Sequence, residues 1–319
     1  NLLNLSCLLG ILGAIAAVMA LGHVLNPAAY IPLASVLLGC LFFSVFVLVI
    51  HECSHCMFVL KRNREASKRL NHRIGTVAGN LLFTDYMAHW AREHTVHHLQ
   101  PMDEVDRQDS LRFSGGTLVG KLVILLIPGA ALFFNPSKQY GFQPLRFLTS
   151  LMFFGSLAAA GAYWVHWQVA VAIVMSFNVT AMCTIHKIAH EHGSELIQVE
   201  DPYLRSRSYF YPLRWVFSPF RINYHFEHHA NFNVPWYRLK AYHQRVKELV
   251  PEDLLIILEE LAQAMHAGVF ESSSPNYPAV EVAMQGPYLP PAGQMKLTFW
   301  YHMYGSTMGN LRVDYTYDG

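Results

Sequence analysis

Long apolar stretches without charge divide the first half of the chain. Residues 1–50 contain no Asp, Glu, Lys or Arg, and two apolar runs, Leu2–Gly22 and Ile31–Ile50, fill most of that stretch. Each run is about 20 residues long, enough for a helix with a rise of about 1.5 Å per residue to cross a hydrocarbon core of about 30 Å. Charge-free sequence of this length is typical of membrane spans, so the pattern predicts a transmembrane helical hairpin.

A second charge-free stretch, Phe147–Ile185, repeats this pattern. It is interrupted at Tyr163–Gln168 and resumes as Val169–Ile185, which predicts a second hairpin. Two further segments, Ile74–Trp90 and Leu118–Phe134, are mostly apolar. For these two we expect helices that lie in the membrane interface or enter it only in part.

The positions of Lys and Arg predict the orientation of both hairpins. The segment Lys61–Arg73 carries six of these residues, and Lys138 and Arg146 flank the third apolar region. The hairpin tips, His23–Tyr30 and Tyr163–Gln168, carry none. Because basic loops stay on the cytoplasmic side, we expect both hairpins to begin and end there, together with both termini.

Composition narrows the class of protein further. Charged residues make up only 14% of the chain, against about 25% in typical soluble domains. The net charge of +1 offers no basic surplus for nucleic acid, so no nucleic-acid partner is expected. The cysteine count is odd, and two of the five cysteines lie in the first apolar runs, which argues against a disulfide framework.

Histidine changes this picture most, because most of the 18 histidines are clustered. The clusters read HECSH (His51, His55), HTVHH (His94, His97, His98), HKIAHEH (His186, His190, His192) and HFEHH (His225, His228, His229). All four fall on the predicted cytoplasmic side. Residues three and four apart share a helix face, so each cluster presents imidazoles together.

Clustered imidazoles indicate a metal site, since neutral imidazole is a good ligand for iron, zinc and copper. Eight or nine such ligands are too many for one tetrahedral zinc, so the sequence predicts two metal ions. The first cluster also matches H-E-x-x-H, the zinc protease signature, in which Glu52 would be the general base. That alternative does not explain two HxxHH motifs. A histidine-rich metal transporter would need ionisable residues inside the spans, which are charge-free here.

The motifs resemble those of the membrane fatty acid desaturase and hydroxylase superfamily. HECSHCMF resembles its first histidine box, WAREHTVHHLQPMDEVD its second, and NYHFEHHANFNVPWYRLKAYH its third. The stretch SYFYPLRWVFSPFRINYHFEHH is especially similar to bacterial acyl-lipid desaturases. The resemblance covers roughly residues 30–255.

The resemblance implies an all-α membrane protein in which four transmembrane helices, as two hairpins, carry a cytosolic helical cap with a dinuclear iron site. Eight ligands carry over by motif: His51, His55, His94, His97, His98, His225, His228 and His229. The ninth falls in AHEHG, where His190 fits the stearoyl-type pattern and His192 the Glu-His-Gly pattern of alkane hydroxylase-like members. The comparison slightly favours His190; His186 would then replace an Asn that holds a water.

The resemblance also implies the chemistry. Two iron ions, reduced by an external donor, react with O₂ and remove hydrogen from an acyl methylene. Desaturation is the expected outcome, with hydroxylation or alkene-forming decarboxylation as alternatives on the same scaffold. No haem, rubredoxin-like or dinucleotide motif is visible, so electrons are expected from a ferredoxin or cytochrome b5 with its reductase.

Four carboxylates near the boxes are candidates for orienting imidazole rings by hydrogen bonds, although each is equally consistent with a surface charge. They are Glu52, Asp103, Asp106 and Glu227.

The last part of the chain departs from the family pattern. We expect the desaturase domain to span residues 1–267, including an amphipathic helix in PEDLLIILEELAQAM, and a linker to span residues 268–293. Residues 294–319 resemble a short piece of a MAM domain, and we expect an artefactual or fused tail there.

Overall fold

The computed structural model describes residues 1–103, 105–106, 118–127, 144–192, 196, 205–210 and 213–249. Helices dominate these residues, and no β-strand occurs among them. The predicted helix after Pro251, the linker, the tail and Lys138 lie outside the described residues, as does the second half of Leu118–Phe134. The all-α prediction is confirmed for the described part of the chain.

The helices follow one another in this order: α1 (Leu2–Ala20), α2 (Pro27–Val45), α3 (Arg64–Leu81), α4 (His94–Leu99), α5 (Leu118–Leu126), α6 (Pro144–Trp164), α7 (Trp167–Glu191), α8 (Arg214–Phe217), α9 (His225–Ala230) and α10 (Trp236–Leu249). A 3₁₀ turn, Leu21–His23, extends α1. A π-helical segment, Phe46–His51, and a short turn, Glu52–Ser54, extend α2. Another π-helical segment, Tyr86–Glu93, leads into α4.

In the described part of the chain, four helical segments are long and apolar enough to cross a membrane: Leu2–His23, Pro27–Ser54, Pro144–Trp164 and Trp167–Glu191. They correspond to the four predicted spans. The first and third expose many large apolar side chains, whereas the second is the most buried. In a bilayer the exposed apolar faces of α1 and α6 are suited to contact lipid, while α2 and α7 form the centre of the bundle.

The two hairpin tips meet at one end of the bundle. Nε2 of Gln168, at the start of α7, donates hydrogen bonds to the carbonyl oxygens of Gly22 and Leu25, at 2.8 and 3.0 Å. Gln168 is buried there. Both hairpins therefore begin and end at the opposite end, where the histidine clusters lie.

The segment after the first hairpin differs from the prediction in its boundaries. The apolar segment Ile74–Trp90 was expected to be one helix, but α3 begins earlier, where the side chain of Asn63 accepts a hydrogen bond from the Ala66 N–H at 2.9 Å. The chain then turns before Tyr86, because this ring packs into the surface of α3. A Cβ atom at Gly75 would lie 2.2 Å from Cε2 of Tyr86, so only glycine leaves room for it.

The approach of α2 to α7 also depends on a glycine, which gives a first testable prediction. A Cβ atom at Gly39 would lie 2.5 Å from Cβ of Val179 and 2.8 Å from the carbonyl oxygen of Ser176. Gly39→Ala therefore forces the two central helices apart, and we expect it to lower the free energy of unfolding by about 1–3 kcal/mol. The measurement is thermal unfolding in detergent. Gly155→Ala is the matched control, because no described residue lies within 4 Å of its new methyl group. Equal melting temperatures for the two variants would contradict the packing argument.

Candidate metal centre

Four separate segments bring histidines to one end of the bundle. His51 ends the π-helical extension of α2, and the HTVHH motif forms α4, directly after the second π-helical segment. His192 follows the last residue of α7, and HFEHH lies within α9. A π-helical turn rotates the residues after it relative to a regular helix and is frequent at functional sites. Here both π-helical segments directly precede or contain histidines of the cluster.

Nine buried histidines form two adjacent groups. Each histidine contributes one ring nitrogen, and within each group these nitrogens lie within 4.8 Å of one another. The five-histidine group consists of His51, His55, His94, His98 and His228. The four-histidine group consists of His97, His192, His225 and His229. The rings of His98 and His229, one from each group, have centroids 4.2 Å apart, so the two groups are in direct contact.

Helix geometry explains how the residues are divided. In both HxxHH motifs the first and last histidines, four residues apart, share a helix face and belong to the same group. The middle histidine projects about 100° away from its successor and belongs to the other group. Thus α4 sends His97 to the four-histidine group, and α9 sends His228 to the five-histidine group.

The distances between ring nitrogens suit metal coordination. Nε2 of His94 lies 3.0 Å from Nε2 of His55 and 3.2 Å from Nε2 of His98. In the other group, Nε2 of His225 lies 2.9 Å from Nε2 of His192. Two ligands at right angles, each about 2.1 Å from a metal as in zinc sites, lie about 3 Å apart.

Several ring nitrogens have no other use in the described part of the chain. Nε2 of His51, Nε2 of His228 and both ring nitrogens of His229 are buried and form no hydrogen bond with the described residues. Leaving one such group buried and unsatisfied costs about 1–3 kcal/mol. A metal ion accepts these lone pairs, so the residues fit a bound metal.

Six of the cluster histidines are held in the neutral form that binds metals. Burial, reinforced by neighbouring imidazoles, holds the pKa of five of them well below its ordinary value: His98, His192, His225, His228 and His229. Burial also lowers the pKa of His55 to about 3. At neutral pH these rings therefore keep an unprotonated nitrogen for a metal ion.

Hydrogen bonds fix the orientation of two rings in the four-histidine group. Nδ1 of His97 lies 2.8 Å from Oδ2 of Asp106, which also accepts a hydrogen bond from the backbone N–H of Met102 at 2.9 Å. Met102 adopts a left-handed backbone conformation with φ of 62°, which lets the turn close on the carboxylate. Nδ1 of His192 donates to the carbonyl oxygen of Arg205 at 2.7 Å. In both rings this leaves Nε2 for the group.

The four predicted carboxylates have different surroundings. Asp106 contacts a cluster imidazole, whereas Oε1 of Glu52 lies 3.6 Å from Nδ1 of His51, too far for a hydrogen bond. The backbone of Asp103 helps form the turn that carries Asp106. The N–H of Asp106 donates a hydrogen bond to the carbonyl oxygen of Asp103 at 3.0 Å.

Glu227 is oriented away from the metal-binding rings. It bonds to Ser208 and His243 instead of a cluster histidine. Burial alone would raise its pKa, but hydrogen bonds from His243 and Ser208 hold that pKa below its ordinary value. Glu227 therefore remains ionised and joins α9 to α10.

The structure distinguishes the two candidates for the ninth position. His192 lies in the four-histidine group, whereas His190, which the family comparison slightly favoured, does not. The ring of His190 packs against His186 and Tyr209, with centroid distances of 4.3 and 5.3 Å. Residues two apart project about 200° from each other around a helix, so His190 and His192 face opposite ways.

One carboxylate at this site was not predicted from the sequence. Glu191 lies between the two candidate histidines, is buried, and places Oε1 3.3 Å from Nδ1 of His225. Its signal in the sequence was an acidic residue between two histidines in AHEHG. The sequence does not show where the Glu191 side chain points, because its direction depends on how α7 ends.

Among the described residues, four apolar helices define an integral membrane protein, and its buried histidine cluster has the ring nitrogens to hold metal ions. A model of the family "Fatty acid desaturase" matches residues 25–259, which is well over half of the chain. This range contains all nine histidines of the two groups. The chain belongs to the fatty acid desaturase family, an iron-dependent group whose chemistry is that of oxidoreductases. No curated protein and no solved structure matches it.

Proposed function

We propose that this protein is an O₂-dependent desaturase that introduces a double bond into a fatty acyl chain with the help of two iron ions. The observation that carries the proposal is the division of nine buried histidines into groups of five and four, in a chain of the desaturase family. Each group has enough imidazoles to hold one ion and to leave room for another ligand.

In this proposal the five-histidine group holds one iron and the four-histidine group holds the other. When bound, the iron pair would supply the chemistry by which O₂ is reduced and an unactivated methylene is oxidised. The residues of the chain would hold the iron ions, orient the ligand rings and shield the site from water. The neutral imidazoles bind, Asp106 and the Arg205 carbonyl fix two rings, and burial limits access of water.

The overall reaction needs partners. Each double bond consumes one O₂, two electrons and two protons, and yields two waters. Electrons must come from outside the chain, and a ferredoxin or a cytochrome b5 with its reductase is the class of donor that we propose. The substrate is a lipid or another acyl compound in the membrane.

We further propose that the histidine end of the bundle faces the cytoplasm, with the active site and both termini on that side. The basic segment Lys61–Arg73 supports this orientation, because it follows α2 at the end opposite the hairpin tips. Residues 1–267 would form one desaturase domain, with a linker at residues 268–293 and an unrelated tail at residues 294–319. The family match, which ends at residue 259, agrees with this division.

The test of the proposal is the lipid profile of cells that express the protein together with a donor and reductase. Gas chromatography–mass spectrometry should show a new double bond that is absent with His97→Ala. Hydroxylated lipids or terminal alkenes would instead favour a hydroxylase or a decarboxylase, which would use the same ligands. The proposal would be contradicted if the cells made no new product although the protein purified from them binds two irons and the donor reduces these irons.

Substitution of Glu52 separates the desaturase from the remote alternative of an H-E-x-x-H zinc protease. In a protease Glu52 is the general base, so Glu52→Gln would abolish activity while metal stays bound. In the desaturase Glu52 only approaches His51, at 3.6 Å, and no proton transfer depends on it. We expect Glu52→Gln to retain measurable desaturation, within about 10–100-fold of wild type, by the same lipid assay. Complete loss with both metals retained would favour the protease.

A further inference from the structure

Glu191 occupies the last position of α7, immediately before the metal-site residue His192. The backbone around it is fixed by Arg207, whose N–H donates to the Glu191 carbonyl oxygen at 3.1 Å and whose Nε donates to the His190 carbonyl oxygen at 2.6 Å. These bonds satisfy carbonyl groups at the end of the helix. The carboxylate of Glu191 is therefore held in place and is only 1% exposed.

Among the described residues, three side chains lie close to this carboxylate. The Lys187 ammonium, one turn earlier in α7, donates to Oε2 at 2.6 Å. The Tyr209 hydroxyl donates to Oε1 at 3.3 Å, and Nδ1 of His225 lies 3.3 Å from the same oxygen. The lysine ammonium offsets part of the cost of burying this carboxylate.

His225, a member of the four-histidine group, lies between Glu191 and His192. Its Nδ1 lies 3.3 Å from Oε1 of Glu191, an ion-pair distance without a hydrogen bond, while its Nε2 lies 2.9 Å from Nε2 of His192. A carboxylate behind an imidazole keeps the proton on the near nitrogen, directs the other nitrogen to the metal and makes it a stronger ligand. Asp106 lies behind His97 in the same group, at the shorter hydrogen-bond distance of 2.8 Å.

We infer that Glu191 is a positioning residue for the metal of the four-histidine group, acting through His225. The inference rests on the proposed function, because it requires that this group binds a metal. Lys187 and Tyr209 support the carboxylate and contribute through it. Glu227 offers a contrast on the same helix as His225: it is also buried, but it bonds to Ser208 and His243 instead of a cluster ring.

The test measures metal binding by the full-length protein in detergent. Metal-free protein is titrated with Co²⁺, whose visible absorption reports ligand geometry, and bound metal is counted by mass spectrometry. For Glu191→Gln we expect one of the two ions to bind about 10–100-fold more weakly, with altered absorption for that ion only. The matched control Glu227→Gln should bind both ions within about twofold of wild type. Tyr209→Phe, which removes one donor to Glu191, should weaken the same ion by a smaller factor.

Two further comparisons exclude a general structural effect. Unfolding of the metal-free proteins shows whether Glu191→Gln and Glu227→Gln lose similar stability, so that a difference in metal affinity cannot come from the fold. If metal-free Glu191→Gln does not fold, Tyr209→Phe alone carries the test. The double variant Lys187→Met/Glu191→Gln removes the ammonium that the single variant leaves without a counter-charge. It should bind the ion as weakly as Glu191→Gln does.

Several results would overturn the inference. These are affinities within twofold of wild type for Glu191→Gln, equal losses in Glu191→Gln and Glu227→Gln, or full recovery in the double variant, which would assign the loss to the charge of Lys187. Wild-type protein that binds no metal would instead contradict the proposed function itself. The titration therefore distinguishes failure of the inference from failure of the function.

Discussion

Alanine at His228 or at His97 is expected to abolish turnover, each by removing one ligand from a different metal. His228 belongs to the five-histidine group and His97 to the four-histidine group, although both lie in HxxHH motifs. Loss of a group that merely orients a ligand typically costs about 10–100-fold in metal affinity or activity, so loss of a ligand should cost more than about 100-fold. The measurements are iron per chain in the purified protein and desaturated product by gas chromatography–mass spectrometry.

The two variants should also differ from each other in a way that only two separate sites produce. Each should keep one strongly bound metal and lose the other, so their Co²⁺ spectra should be complementary and together resemble that of the wild type. His23→Ala is the control, because His23 is exposed near the tip of the first hairpin and is far from the cluster in the fold. Full activity in either His228→Ala or His97→Ala would refute the assignment of two irons to these groups.

The spans and the eight box histidines could be predicted because both depend on short-range patterns. The length of an apolar run reports directly on the thickness of a bilayer, and a spacing of three or four residues reports on one face of a helix. The turn that separates α3 from the segment at Tyr86 could not be predicted in this way. It depends on how the Tyr86 ring fits against Gly75, a contact between helices that the apolar pattern of Ile74–Trp90 does not contain.

The carboxylates show a second limit of sequence reasoning. Glu227 precedes His228 directly, but neighbouring residues on a helix project about 100° apart, so it bonds to His243 on α10. Asp106 reaches His97 because the chain turns back through Met102. Proximity in the sequence identified both as candidates, and only the path of the backbone separates the one that orients a ring from the one that joins two helices.

The ninth histidine is where sequence and structure differ most, and it supports the second large prediction. His192→Ala should lose the metal of the four-histidine group and reduce turnover by more than about 100-fold, because the structure places its ring beside His225 with Nδ1 held by the Arg205 carbonyl. His190→Ala should keep both metals and remain within about tenfold of wild-type turnover. Its ring packs against His186 and Tyr209 outside both groups.

This pair of variants is closely matched, since the two histidines are separated only by Glu191 and each is replaced by the same residue. Counting iron per chain and product per iron separates a lost ligand from a disturbed fold, because a disturbed fold would lower both metals together. The opposite result, with metal lost in His190→Ala and retained in His192→Ala, would restore the stearoyl-type pattern. It would also mean that α7 ends about half a turn away from where the structure places it, since His190 can reach the group only if the helix rotates by about 200°.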